Sequence, residues 1–95
     1  MKVGELLGLI DETLTNLKIA IVSNQTRAME SPYTSYEFTQ RAIELQEDLD
    51  DLIRARETLA KLDPEDEVER HFSERELGEF LKLLELMKNA DAHAY

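Results

Sequence analysis

The sequence predicts an all-α protein: an antiparallel helical hairpin, a short acidic helix and a C-terminal helix, together a three-helix bundle. Three observations carry that reading. Strong helix formers dominate, with only three Gly and two Pro among 95 residues. Apolar residues recur at steps of three and four, the helical period, instead of alternating. The periodic stretches are separated by residues that cap or break helices. One domain is expected over residues 1–95, with helices at about 3–24, 35–62, 64–71 and 74–90.

The first helix is read from Val3, Leu7, Ile10, Leu14, Leu17, Ile21 and Asn24, which follow an unbroken four-three rhythm. Such a seam is coiled-coil-like. Its last member, Asn24, is polar, and turn-forming residues follow, so packing is expected to end there. Leu9, Ile19 and Val22 fall off the seam and predict a second contact, with the C-terminal helix or with another subunit. The connection over 23–35 is dense in hydroxyl and amide groups; it can begin as a continuation of the first helix, and Ser31-Pro32 offers a rival start for the second one turn before Thr34. Thr34 with Glu37 spells a capping box, and Tyr33 with Phe38 the flanking hydrophobic staple.

The second helix has two unlike faces. Phe38, Ala42, Leu45, Leu49, Leu52 and Leu59 form an apolar stripe, with Arg56 in one polar slot. Glu44, Glu47, Asp48 and Asp51 form a strip of acids at i, i+3, i+4 and i+7. Pairing at helical spacing is expected for Glu37 with Arg41, Asp50 with Arg54 and Glu57 with Lys61. Asp63-Pro64-Glu65-Asp66 then reads as a helix restart, with a capping Asp and Pro at the first helical position. Ser73 with Glu76 makes the clearest capping box in the chain, stapled by Phe72 and Leu77. In the last helix Leu77, Phe80, Leu81, Leu83, Leu84, Leu86 and Met87 spread over an arc too wide for one neighbour. Oligomeric assembly is therefore expected, through Ile19, Val22, Leu83 and Leu86. Gly4, Gly8 and Gly78 are isolated within helical patterns and read as points of close packing.

The formal net charge is −10, with −3 over residues 37–62 and −5 over 63–76. A chain so acidic repels nucleic acid and anionic membrane and attracts basic proteins. Cys is absent, which removes disulfides and thiolate metal sites. No apolar run is long enough to span a bilayer or to read as a signal segment. A cytoplasmic protein is expected, in the host cytoplasm if the source is a virus.

Catalysis is poorly supplied. His71 and His93 are the only histidines, and both read as surface residues. Glu44-x-x-Glu47 resembles the first half of the all-α nucleotide pyrophosphohydrolase motif, in which acids one turn apart hold magnesium. The second half, Glu-x-x-Asp, is missing; Glu76-x-x-Glu79 comes nearest. The expectation is a non-enzyme without metal or cofactor.

Two binding surfaces remain. The first is acidic: Glu44, Glu47, Asp48 and Asp51, joined by Glu65, Asp66 and Glu69. Carboxylates at helical spacing can stand in for backbone phosphates, so this face would occlude a basic, nucleic-acid-binding surface of a partner protein, as small viral inhibitors do. The second is the polar connection, where Thr26, Arg27, Tyr33, Thr34, Ser35 and Tyr36 could hold a nucleotide or another phosphate ligand at a helix start. A plain oligomeric scaffold is the third expectation.

Overall fold

The computed structural model describes residues 1–89. Three long helices make up most of it: α1 (Val3–Glu30), α2 (Ser35–Leu59) and α3 (Glu74–Lys88). A single 3₁₀ turn, Val68–Arg70, lies between α2 and α3. The all-α class is as expected. The molecule is a rod of 50 × 21 × 16 Å.

α1 and α2 form the antiparallel hairpin. Val3, Leu6, Ile10, Leu14, Leu17 and Ile21 from α1 are buried with Leu45, Leu49, Leu52 and Leu59 from α2. Arg56, the polar slot in the α2 stripe, reaches across the seam to Asp11, with Nε donating to Oδ1 at 2.6 Å and a second guanidinium nitrogen to Oδ2 at 3.3 Å. α3 runs parallel to α1 along its N-terminal half. Leu81, Leu84 and Lys88 meet Leu9, Glu12 and Thr13, which explains why Leu9 is apolar although it lies off the seam. α1 thus packs against both other long helices, whereas α2 and α3 scarcely touch.

Helix ends differ from the expected ones for local reasons. α1 does not stop near residue 24 but runs on to Glu30. Ser31, immediately before Pro32, is forced into extended backbone at φ −125°, ψ 105° and ends it there. Asn24 is therefore an interior residue, with no exposed surface. Its amide donates to the Ala20 carbonyl at 2.7 Å, while its Oδ1 finds no partner. The capping box at Thr34 does not form: Thr34 occupies the cap position without a side-chain bond. The staple fails with it, since Tyr33 is 96% exposed.

The expected helix over 64–71 is absent, and backbone bonding explains why. In a helix the Pro64 carbonyl would accept from Val68 N–H. Instead Pro64 O accepts from Gly4 N–H at 2.9 Å, and Val68 N–H donates to Met1 O at 2.8 Å. Val3 N–H takes the Asp66 carbonyl at 2.9 Å. The segment gives up its own helix to satisfy donors that the first turn of α1 would otherwise leave open. The capping Asp keeps a smaller role, accepting the Glu65 N–H at 2.9 Å in a local turn.

Gly4 is a point of close approach in this clasp: a Cβ there would stand 3.3 Å from Pro64 O, so the 63–66 turn would have to give by a few tenths of an ångström. Gly8 and Gly78, by contrast, face open space and are not packing points. The Ser73 box forms as expected: Ser73 Oγ accepts from Glu76 N–H at 3.1 Å, and Ser73 N–H donates to Glu76 Oε1 at 3.2 Å. No helix among the described residues is long and apolar enough to cross a membrane. Ala90 and the tail beyond it, His93 included, lie outside the described residues.

Candidate functional site

The acidic strip on α2 is held by the stripe behind it. Burial of Ala42, Leu45, Leu49 and Leu52 against α1 fixes the rotation of the helix. Glu44, Glu47 and Asp51 are thereby left exposed, and Asp48 half-buried. The expected partners are rearranged. Arg41 pairs with Glu44 at 3.6 Å instead of with Glu37, and Arg54 pairs with Asp51 instead of Asp50. Asp50 accepts a hydrogen bond from Gln46 at 3.1 Å, and no Glu57–Lys61 bridge forms. Glu47 and Asp48 have no ion pair. The Asp48 carboxyl is held above the usual carboxylate range, first by loss of hydration, against a lowering from Arg41 and with a further raise from Asp51 and Glu44.

The acids of the 63–69 segment have a different fate. Glu65 accepts from Lys2 Nζ at 2.8 Å. The N-terminal ammonium of Met1 lies 3.1 Å from Glu67 and 3.4 Å from Glu69. Asp66 accepts His71 Nε2 at 3.0 Å and stands 3.7 Å from Arg70. The Lys2 hydrogen bond lowers the Glu65 pKa; Glu69 is lowered by its own backbone N–H and then by the ammonium. Glu65, Asp66 and Glu69 are thus engaged within the chain, and the strip on α2 remains the freer of the two acidic surfaces.

The residues of the polar connection do not converge. A groove of about 400 Å³ opens near the hairpin tip between α1 and α2, but Ser35 alone of the six lines it, beside Met29, Thr39 and Ile43. Arg27 turns its guanidinium over the Phe38 ring, 5.9 Å from the centroid. Tyr33 and Tyr36 are splayed into solvent. Ile19, Val22, Leu83 and Leu86, expected to mediate assembly, are all exposed.

One feature escaped sequence reasoning. Near the base of the rod an apolar groove of about 320 Å³ lies between the end of α2 and the start of α3. Ala55, Thr58 and Leu59 face Leu77, Phe80 and Phe72 across it, with Leu6 beneath. The signal was the wide apolar arc of α3, which asked for more than one neighbour without saying where the second would sit.

Among the described residues no three His, Asp or Glu side chains converge as metal ligands. No protein-family model matches the chain, and neither a curated protein nor a solved structure does so.

Proposed function

We propose that this chain is a non-catalytic binding protein whose α2 strip covers a basic surface of a partner protein, of the kind that otherwise holds nucleic acid. One observation carries the reading: Glu44, Glu47, Asp48 and Asp51 stay together on one side of α2, with Glu47 and Asp48 unneutralised by any ion pair. Glu44 with Asp48 and Glu47 with Asp51 are like charges at i,i+4, and each pair opposes the helix by about 0.2–0.5 kcal/mol. A basic partner would relieve that repulsion.

The test is binding to a panel of purified basic nucleic-acid-binding proteins, with duplex DNA as competitor. The wild type should bind at least one of them in competition with DNA, and less tightly as salt rises. The double variant Glu47→Lys, Asp51→Lys should stay folded and lose about tenfold or more in affinity. Binding that survives charge reversal would end this reading.

A second reading, an oligomeric scaffold, has its own support in the exposure of Ile19, Val22, Leu83 and Leu86. Sedimentation of the wild type beside Val22→Lys and Leu86→Lys variants checks it. A wild type that is monomeric throughout the accessible concentration range excludes it.

A further inference from the structure

The apolar groove at the base is not required by the fold that surrounds it. α1 packs on α2 and on α3, but α2 and α3 scarcely meet, and the groove is the gap between them. The capping turn at Ser73 brings Phe72 and Leu77 to one end of it, where neither becomes fully buried. Phe80 continues the α3 wall, and Leu83, three residues on, is 45% exposed. About 320 Å³ accommodates side-chain anchors, not a whole helix.

The α2 wall changes character along its length. Asp51 precedes Ala55 by four residues and Thr58 by seven; Asp48 precedes Ala55 by seven. Seven residues are nearly two turns, so these acids lie in line with the groove wall and extend it towards the hairpin tip. The groove is therefore mostly apolar at the base, where Glu76 is the one acid in its lining, and is flanked by further carboxylates above.

We propose that this groove receives an amphipathic basic helix of a partner protein, with apolar anchors against Phe72, Leu77 and Phe80 and Lys or Arg residues against Asp48 and, in exchange for its Arg54 pairing, Asp51. The inference rests on the basic-partner reading of the α2 strip and adds the secondary structure and register of what binds there. Charge complementarity selects the occupant. A second copy of this chain would set one net charge of −10 against another. A helix carrying anchors at i, i+3 or i+4 and i+7 matches an apolar trough beside a helix wall, and one basic flank matches the acids.

Fluorescence anisotropy with three peptides of about 18 residues, five helical turns, tests it. One carries Leu at i, i+4, i+7 and i+11 with Lys along a flank. Its acidic twin has Glu for Lys, and a scrambled version keeps the composition without the stripe. The first should bind, the scrambled peptide about tenfold or more weaker, and the twin not at all. Thr58→Lys, at an exposed position on the groove rim, should weaken the first peptide by about tenfold. In the unaltered protein, NMR shifts of Leu77 and Phe80 should move on titration, which needs no variant to fold.

Equal binding of the first and scrambled peptides would overturn the groove while leaving the acidic strip intact as a docking face. Equal binding of the acidic twin would remove the basic-partner reading itself. Unmoved Leu77 and Phe80 signals, or self-association that Thr58→Lys abolishes, would overturn the proposed occupant.

Discussion

The two ends of the rod solve the same local problems differently. At the base Ser73 caps α3 with both bonds of its box, and the acids of 63–69 are met by Met1, Lys2, Arg70 and His71. Open N–H groups of α1 find the carbonyls of Pro64 and Asp66. Along the arm towards the tip, Thr34 occupies a cap position with no cap bond, and Tyr33 and Tyr36 point into solvent. Asn24 keeps a buried oxygen without a partner, and the strip beginning at Glu44 is only partly neutralised. The lesson is that residue type alone does not decide availability. Both acidic segments are dense in carboxylates, but Met1 and Lys2 bring cations to one of them, while the other sits on a side of α2 that α1 does not cover and that no other long helix approaches.

The largest test of that contrast is Val68→Ala. Val68 is fully buried where the 63–69 segment clasps α1, and losing its methyl groups should cost about 2 kcal/mol. In a domain this small that lowers the melting temperature by about 8–16 °C. Tyr33→Ala at the tip should change stability by less than about 0.5 kcal/mol. Equal effects at the two sites would erase the distinction.

Asn24→Leu sharpens it from the other side. Replacing a buried, half-satisfied amide with an apolar side chain of similar size should raise stability by about 1 kcal/mol, read by chemical denaturation. A loss would mean that the Asn24 oxygen has a bonding role. Next come the two caps. Ser73→Ala should cost about 1 kcal/mol, and Thr34→Ala only a few tenths, because the Thr34 side chain makes no cap bond to lose.

The smallest effect is the pH dependence. Glu65, Glu69 and Asp11 have lowered pKa values in the folded chain, so their stabilisation is present above the ordinary carboxylate range and is lost as pH falls through the lowered values. Asp48 has the opposite sign: its charge is disfavoured in the fold, and protonation relieves it. Thermal melts between about pH 7 and pH 2 should show falling stability. Lys2→Ala should reduce the drop by removing the partner of Glu65, and Asp48→Asn should leave the drop larger. A Lys2→Ala profile parallel to the wild type would mean that the Lys2–Glu65 contact is not formed in solution.

The helices themselves were legible because their signals are local. Core stripes at helical spacing placed α1, α2 and α3, and the Ser73 box marked the start of α3 to the residue. The acidic strip was legible for the same reason, since four positions on one helix stay on one side wherever that helix packs. Thr34-Glu37 and Asp63-Pro64 carried signals of the same kind and were misleading. At Asp63-Pro64 the competing partner was the first turn of α1, some sixty residues away in sequence, and backbone donors there outbid a weak local helix.

The sequence by itself determined the fold class, the long helices and the face on which α2 carries its acids, because each depends on residues within two turns of one another. Only the tertiary structure decided that the 64–71 segment is a clasp, that its acids are met by the N-terminus, and that α3 leans on α1 and leaves α2 uncovered. Those outcomes depend on which distant groups come within hydrogen-bonding reach once the core has packed. Spacing along the chain carries no record of that.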